Sequence, residues 1–82
     1  MSVRLDTEGT IRLEGSCSIE DAESLVQLRL QHPAAPVDWS ACDHAHTAVV
    51  QVLLVDKPTM KGPPADLFLK TWVEPAMADA KD

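Results

Sequence analysis

An α/β domain with a small mixed four-stranded sheet and about three helices, in the order β-β-α-β-α-β-α, is predicted by three features of this sequence. Short runs near the N-terminus alternate in polarity with period two. Later stretches carry apolar residues at helical spacing, and proline- or glycine-bearing breakers separate the segments. Strands alternating with helices imply parallel strands joined by right-handed crossovers, with the first strand antiparallel at one edge.

The first two strands come from Ser2–Asp6, where Val3 and Leu5 share a face, and Thr10–Glu14, where Ile11 and Leu13 do. Asp6-Thr7-Glu8-Gly9 has the acid-first, glycine-late composition of a tight turn, so the two form a hairpin that Gly15 ends. A helix follows. Ser18 and Asp21 have capping-box spacing, and Glu20, Asp21 and Glu23 favour the positive end of the helix dipole. Ile19, Ala22, Leu25, Val26, Leu28 and Leu30 supply a broad apolar side, and Pro33 stops the helix.

Val37-Asp38-Trp39-Ser40 reads as a short central strand with Asp38 and Ser40 on one face. Ala41–His46 is expected to be a polar loop. Thr47 then caps a helix through Val55 that Pro58 ends. Three prolines and a glycine make Pro58–Pro64 a loop. Ala65–Lys70 is the fourth strand, with Leu67 and Leu69 on one face and Phe68 on the other. Thr71 and Glu74 repeat the capping-box spacing ahead of a short terminal helix containing Ala76, Met77 and Ala80, and Asp79–Asp82 is expected to fray.

Eighty-two residues suffice for one domain, spanning 1–82, with one modest core. Thirteen acidic side chains against seven basic ones give a formal charge of -6, spread along the chain. No basic cluster exists, which removes the electrostatic basis for nucleic-acid binding and for an anionic membrane surface. The longest nearly unbroken apolar run, Ala48–Val55, is too short to span a bilayer. The N-terminus MSVRLDTEG lacks the apolar centre of a secretory leader, and two cysteines make no disulfide framework. A cytoplasmic location is expected.

Chemistry-bearing side chains concentrate in Cys42-Asp43-His44-Ala45-His46-Thr47. In an extended segment Cys42, His44 and His46 would share one side, but none of the structural zinc spacings is present. Asp38, Ser40, His44, His46 and Thr47 include a base, an orienter and hydroxyls, yet no glycine-rich elbow or oxyanion-hole sequence accompanies them. Gly9, Gly15 and Gly62 are isolated, so neither nucleotide fingerprint occurs. No catalytic residue, metal or cofactor is expected, and a metal protein or small hydrolase is the remote alternative. Thr47 at a strand-to-helix junction remains, with a hydroxyl accessible to a modifying enzyme.

The pattern Gly15…Ser18-Ile19-Glu20-Asp21-Ala22…Leu25, then Val37-Asp38-Trp39-Ser40, then His46-Thr47-Ala48-Val49-Val50-Gln51-Val52-Leu53-Leu54 resembles a STAS domain, the fold of anti-sigma factor antagonists and of small lipid-transport accessory proteins. The resemblance extends from the first hairpin to the last helix. It implies a protein-interaction domain without enzyme activity, and by position it gives Thr47 the phospho-acceptor role. His46 stands where the family carries Asp, and Val49 where it carries Gly.

The expected function is docking of the Ala41–Leu54 loop and helix onto another protein, such as a kinase or an anti-sigma factor. Asp43, His44, His46, Thr47, Val50, Gln51 and Leu54 would form the contact, and Thr47 would act as a switch. A homodimer is compatible with this reading. The alternative is an accessory subunit that binds its partner constitutively, with Thr47 serving only as a cap.

Overall fold

A computed structural model describes residues 2–79. Its elements are β1 (Val3–Leu5), β2 (Ile11–Cys17), α1 (Ile19–Gln31), β3 (Val37–Ala45), α2 (Thr47–Asp56), β4 (Met60–Lys61), a π-helical turn (Leu69–Val73) and α3 (Glu74–Asp79). The sheet order is β1-β2-β3-β4, with β1 antiparallel to β2 and the other pairs parallel. This is the predicted order, with the predicted antiparallel edge. The last three residues of the end expected to fray, and Ala80 of the expected terminal helix, lie outside the described residues.

The hairpin forms because Asp6 organises its turn. One carboxylate oxygen accepts from the N–H groups of Glu8 and Thr10, both at 2.9 Å. The strand that follows does not stop at Gly15 as expected. It continues to Cys17, and Gly15 takes a positive φ of 68° beside a register shift against β3. A glycine in the left-handed region suits a bulge, so its signal was a kink rather than an end.

Helix α1 starts where its capping residues placed it. The Asp21 carboxylate reaches back to the Ser18 N–H at 2.7 Å and hydroxyl at 3.2 Å. With β2, α1, β3, α2 and β4 in order, right-handed crossovers put both helices on one face of the sheet. Val3, Ile11, Leu13, Val37 and Trp39 point into that layer and meet Leu25, Val49, Val50 and Leu53 in one core. Alternate residues of the same strands, Arg4, Arg12, Glu14 and Asp38, occupy the other face.

Three expectations fail in the second half of the chain. The segment Ala41–His46 is not a loop: β3 runs to Ala45, and the His46 N–H still donates to the Cys17 carbonyl at 2.9 Å. Backbone pairing with β2 outweighs the polar side chains there, which face solvent. The fourth strand is Met60–Lys61, within the expected loop, paired with Val37 and Asp38. Residues 67–79 are helical instead of a strand and a capped helix. Leu69, Val73 and Met77, spaced by four, are all buried, whereas Leu67 is exposed and does not share a face with Leu69. That helical period outweighs the local strand alternation.

Thr71 therefore lies inside a helical turn and caps nothing. The turn is widened, with the Glu74 N–H bonding the Leu69 carbonyl five residues back. It directly precedes Pro75, which has no N–H and whose ring would crowd the carbonyl of a regular preceding turn. Proline thus distorts this helix without ending it.

Trp39 is the largest fully buried side chain. Its indole N–H donates to the Gly62 carbonyl at 2.7 Å, tying the middle of β3 to the chain leaving β4. Gly62 has a φ of 73°, and a Cβ there would sit 3.0 Å from the Ser40 Cβ. Trp39→Ala is expected to destabilise the domain by ~3–5 kcal/mol in urea denaturation, from lost burial and a cavity. A near-zero change would mean that the indole is not in the core.

Candidate functional site

Helix α2 begins at the carboxyl end of β3, where parallel strands of α/β sheets commonly present functional groups. Its N-cap is His46 rather than Thr47. The His46 ring Nδ1 accepts from the Ala48 N–H at 3.0 Å, and Thr47 is the first helical residue. The expected threonine cap is therefore corrected: imidazole performs the role one position earlier, leaving the Thr47 side chain exposed. The first turn of α2 carries no acidic residue, so nothing on the helix itself complements its positive end.

Five of the seven residues read as partner-binding, Asp43, His44, His46, Thr47 and Gln51, are exposed along the end of β3 and the start of α2. Val50 is buried in the core and Leu54 is half-buried against it. Both are drawn inward because α2 sits between α1 on one side and α3 on the other. Val55 is the residue of α2 that projects outward, 83% exposed.

Cys42, His44 and His46 do not form one side. Cys42 is fully buried with its Sγ 4.0 Å from that of Cys17, while His44 and His46 face solvent. A register shift between β2 and β3 skips Asp43 and breaks the simple alternation. Among the described residues no group of three or more His, Cys, Asp or Glu side chains is placed to hold a metal ion. None of their helices is long and apolar enough to cross a membrane. The free Cys17 and Cys42 thiols share a buried contact that disfavours proton loss from Cys17 and favours it at Cys42.

Two surfaces were not foreseen. One is a groove of about 640 Å³ between α1 and α2, walled by Val26, Leu30, Pro33, Ala48, Val52 and Val55. Arg29 crosses its floor, pairing with Asp56 and donating to the Ala35 carbonyl at 2.7 Å. The signal was available as more apolar residues on α1 than one buried stripe can absorb.

The second is an ionic lattice on the uncovered sheet face. Arg4 binds both Glu14 carboxylate oxygens at 2.9 and 3.1 Å. Arg12 lies 3.4 Å from Asp6, 3.7 Å from Glu14 and 3.6 Å from Asp38. Asp38 also accepts from the Ser40 N–H and hydroxyl, which together with Arg12 and Lys61 hold its carboxyl below the usual range. Asp6 and Glu14 shift the same way, mainly through the Thr10 N–H and the Arg4 side chain respectively. Pairing the wet positions of adjacent strands would have revealed this lattice from sequence, given the register.

The chain matches no protein-family model, no curated protein and no solved structure.

A depressed folded-state carboxyl contributes stability above the unfolded pKa and loses it as pH falls through the lower folded value. Stability should thus be flat near neutrality and fall below about pH 4. Asp38→Asn should remove part of that slope in urea denaturation series at stepped pH. An unchanged slope would mean that Asp38 does not participate.

Proposed function

We propose that this chain is a non-enzymatic, STAS-like protein-interaction domain that docks through the corner between β3 and α2. The observation that carries the reading is an exposed hydroxyl, Thr47, at the first residue of a helix fixed to the end of a central parallel strand. Asp43, His44, His46 and Gln51 surround it as polar contacts that a partner can bind without unfolding anything. The fold is consistent with the same reading, since a small mixed four-stranded sheet in the order β-β-α-β-α-β-α is what the STAS resemblance implies.

Phosphorylation is the proposed control. A phosphate on Thr47 adds nearly two negative charges at a helix start that has no acidic residue of its own, so the fold tolerates it. The same charge beside Asp43 repels an acidic partner surface. The resemblance implies a kinase or an anti-sigma factor as the partner, and the switch requires its docking surface to be acidic.

Affinity capture from the native cell with phosphosite mapping identifies the partner, and binding of Thr47→Glu is then measured against the unmodified chain. The switch reading expects a phosphate on Thr47 and at least ~10-fold weaker binding by Thr47→Glu, equivalent to ~1.4 kcal/mol. An unmodified Thr47 with unchanged affinity of the variant would leave the domain a constitutive accessory subunit.

A further inference from the structure

Strand β3 has nine residues, but β4 pairs only with its first two, Val37 and Asp38. From Trp39 to Ala45 the side of β3 away from β2 has no strand beside it among the described residues. Gly62 lies against Ser40, and beyond that point, from Ala41 to Ala45, the edge presents backbone donors and acceptors to any strand that arrives. The helical segment 67–79 lies at the same end of the fold, since α2 separates α3 from α1 in the helix layer. Leu69, Val73 and Met77 face inward, while Leu67, Phe68 and Trp72 are 75%, 59% and 68% exposed.

Unpaired backbone and a cluster of large apolar side chains therefore share one flank. We propose that a second copy of this chain covers it, with the two β3 edges pairing antiparallel about a two-fold axis and Phe68 and Trp72 packing across it. This goes beyond the docking reading above and does not rest on it.

The occupant follows from self-complementarity and area. Antiparallel pairing of one edge with its own copy needs no second sequence and closes the assembly at two. The three exposed side chains offer on the order of 400 Å² of surface per protomer, judged from typical side-chain areas. Doubled, and with a few hundred Å² from strand pairing, this reaches the ~1,200 Å² at which stable interfaces begin. Two register shifts bend β3, so its new ladder is short and the aromatic residues must supply most of the affinity. Asp43 and Asp66 on both copies, within chains of formal charge -6, oppose the pairing. The dimer should therefore tighten as salt screens them.

Sedimentation equilibrium over a wide range of concentration, at low and high salt, reads the assembly. Amide exchange of those N–H groups of residues 41–45 that do not bond β2 reads the strand edge. The expected result is a monomer–dimer equilibrium that tightens with salt and protects those outward 41–45 amides as the dimer fills. Trp72→Ser, at an exposed position the fold does not need, and Ala41→Lys, on the open edge, should each weaken it at least ~10-fold. A monomer at every concentration overturns the proposal. So does a dimer indifferent to Trp72→Ser, or one in which the outward 41–45 amides exchange as fast as in the monomer.

Discussion

The indole of Trp39 holds this fold together at the point where its halves meet. In a chain of 82 residues the core is small, and one side chain of this size is a large share of it. Its ring is buried between sheet and helices, and its N–H secures the Gly62 carbonyl just after β4. Without that tie a two-residue strand has little to keep it beside β3, and the path into the C-terminal helical segment loses its anchor. The hydrogen bond also answers the polar cost of burying indole, because the one polar atom of the ring is satisfied.

From that fixed centre, β3 extends outward as a rigid arm. Its pairing with β2 persists through two irregularities, and it delivers His46 and Thr47 to the start of α2 with the backbone still hydrogen-bonded. The polar side chains of residues 43–47 are thus carried on a strand end and a helix start. A partner meeting this corner pays little ordering entropy, which favours binding by a small domain. The uncovered sheet face has a different character. Its arginines and carboxylates neutralise one another across β1, β2 and β3, so it is a surface at home in water.

The sequence revealed the element order, the antiparallel edge, the α1 start and the central position of Trp39, because each leaves a local or periodic mark. Ser18 and Asp21 lie three residues apart, and Val3, Leu5, Ile11 and Leu13 alternate. What escaped depended on pairing between distant segments. Polar residues 41–46 resemble a loop until β2 is seen beside them. Met60–Lys61 is too short to show a period, and Val37 and Asp38 define it as a strand. Leu67-Phe68-Leu69 alternates locally, although Leu69, Val73 and Met77 already carried the helical spacing. At the candidate site, the exposure of Thr47 was legible but its cap was not. A histidine Nδ1 as N-cap lies outside the usual Ser, Thr, Asp and Asn preference. The burial of Val50 depended on a third helix lying against α2.

All of this rests on β3 being a strand up to Ala45. The amide of His46 makes its last rung to Cys17, so its hydrogen exchange, followed by NMR in dilute solution, tests the account most directly. Protection comparable to that of the Ile11 amide, which bonds the Pro36 carbonyl at the other end of the same ladder, is the predicted result. Exchange of His46 at the rate of an unstructured chain, with Ile11 still protected, would return residues 41–46 to a loop and contradict the rigid corner.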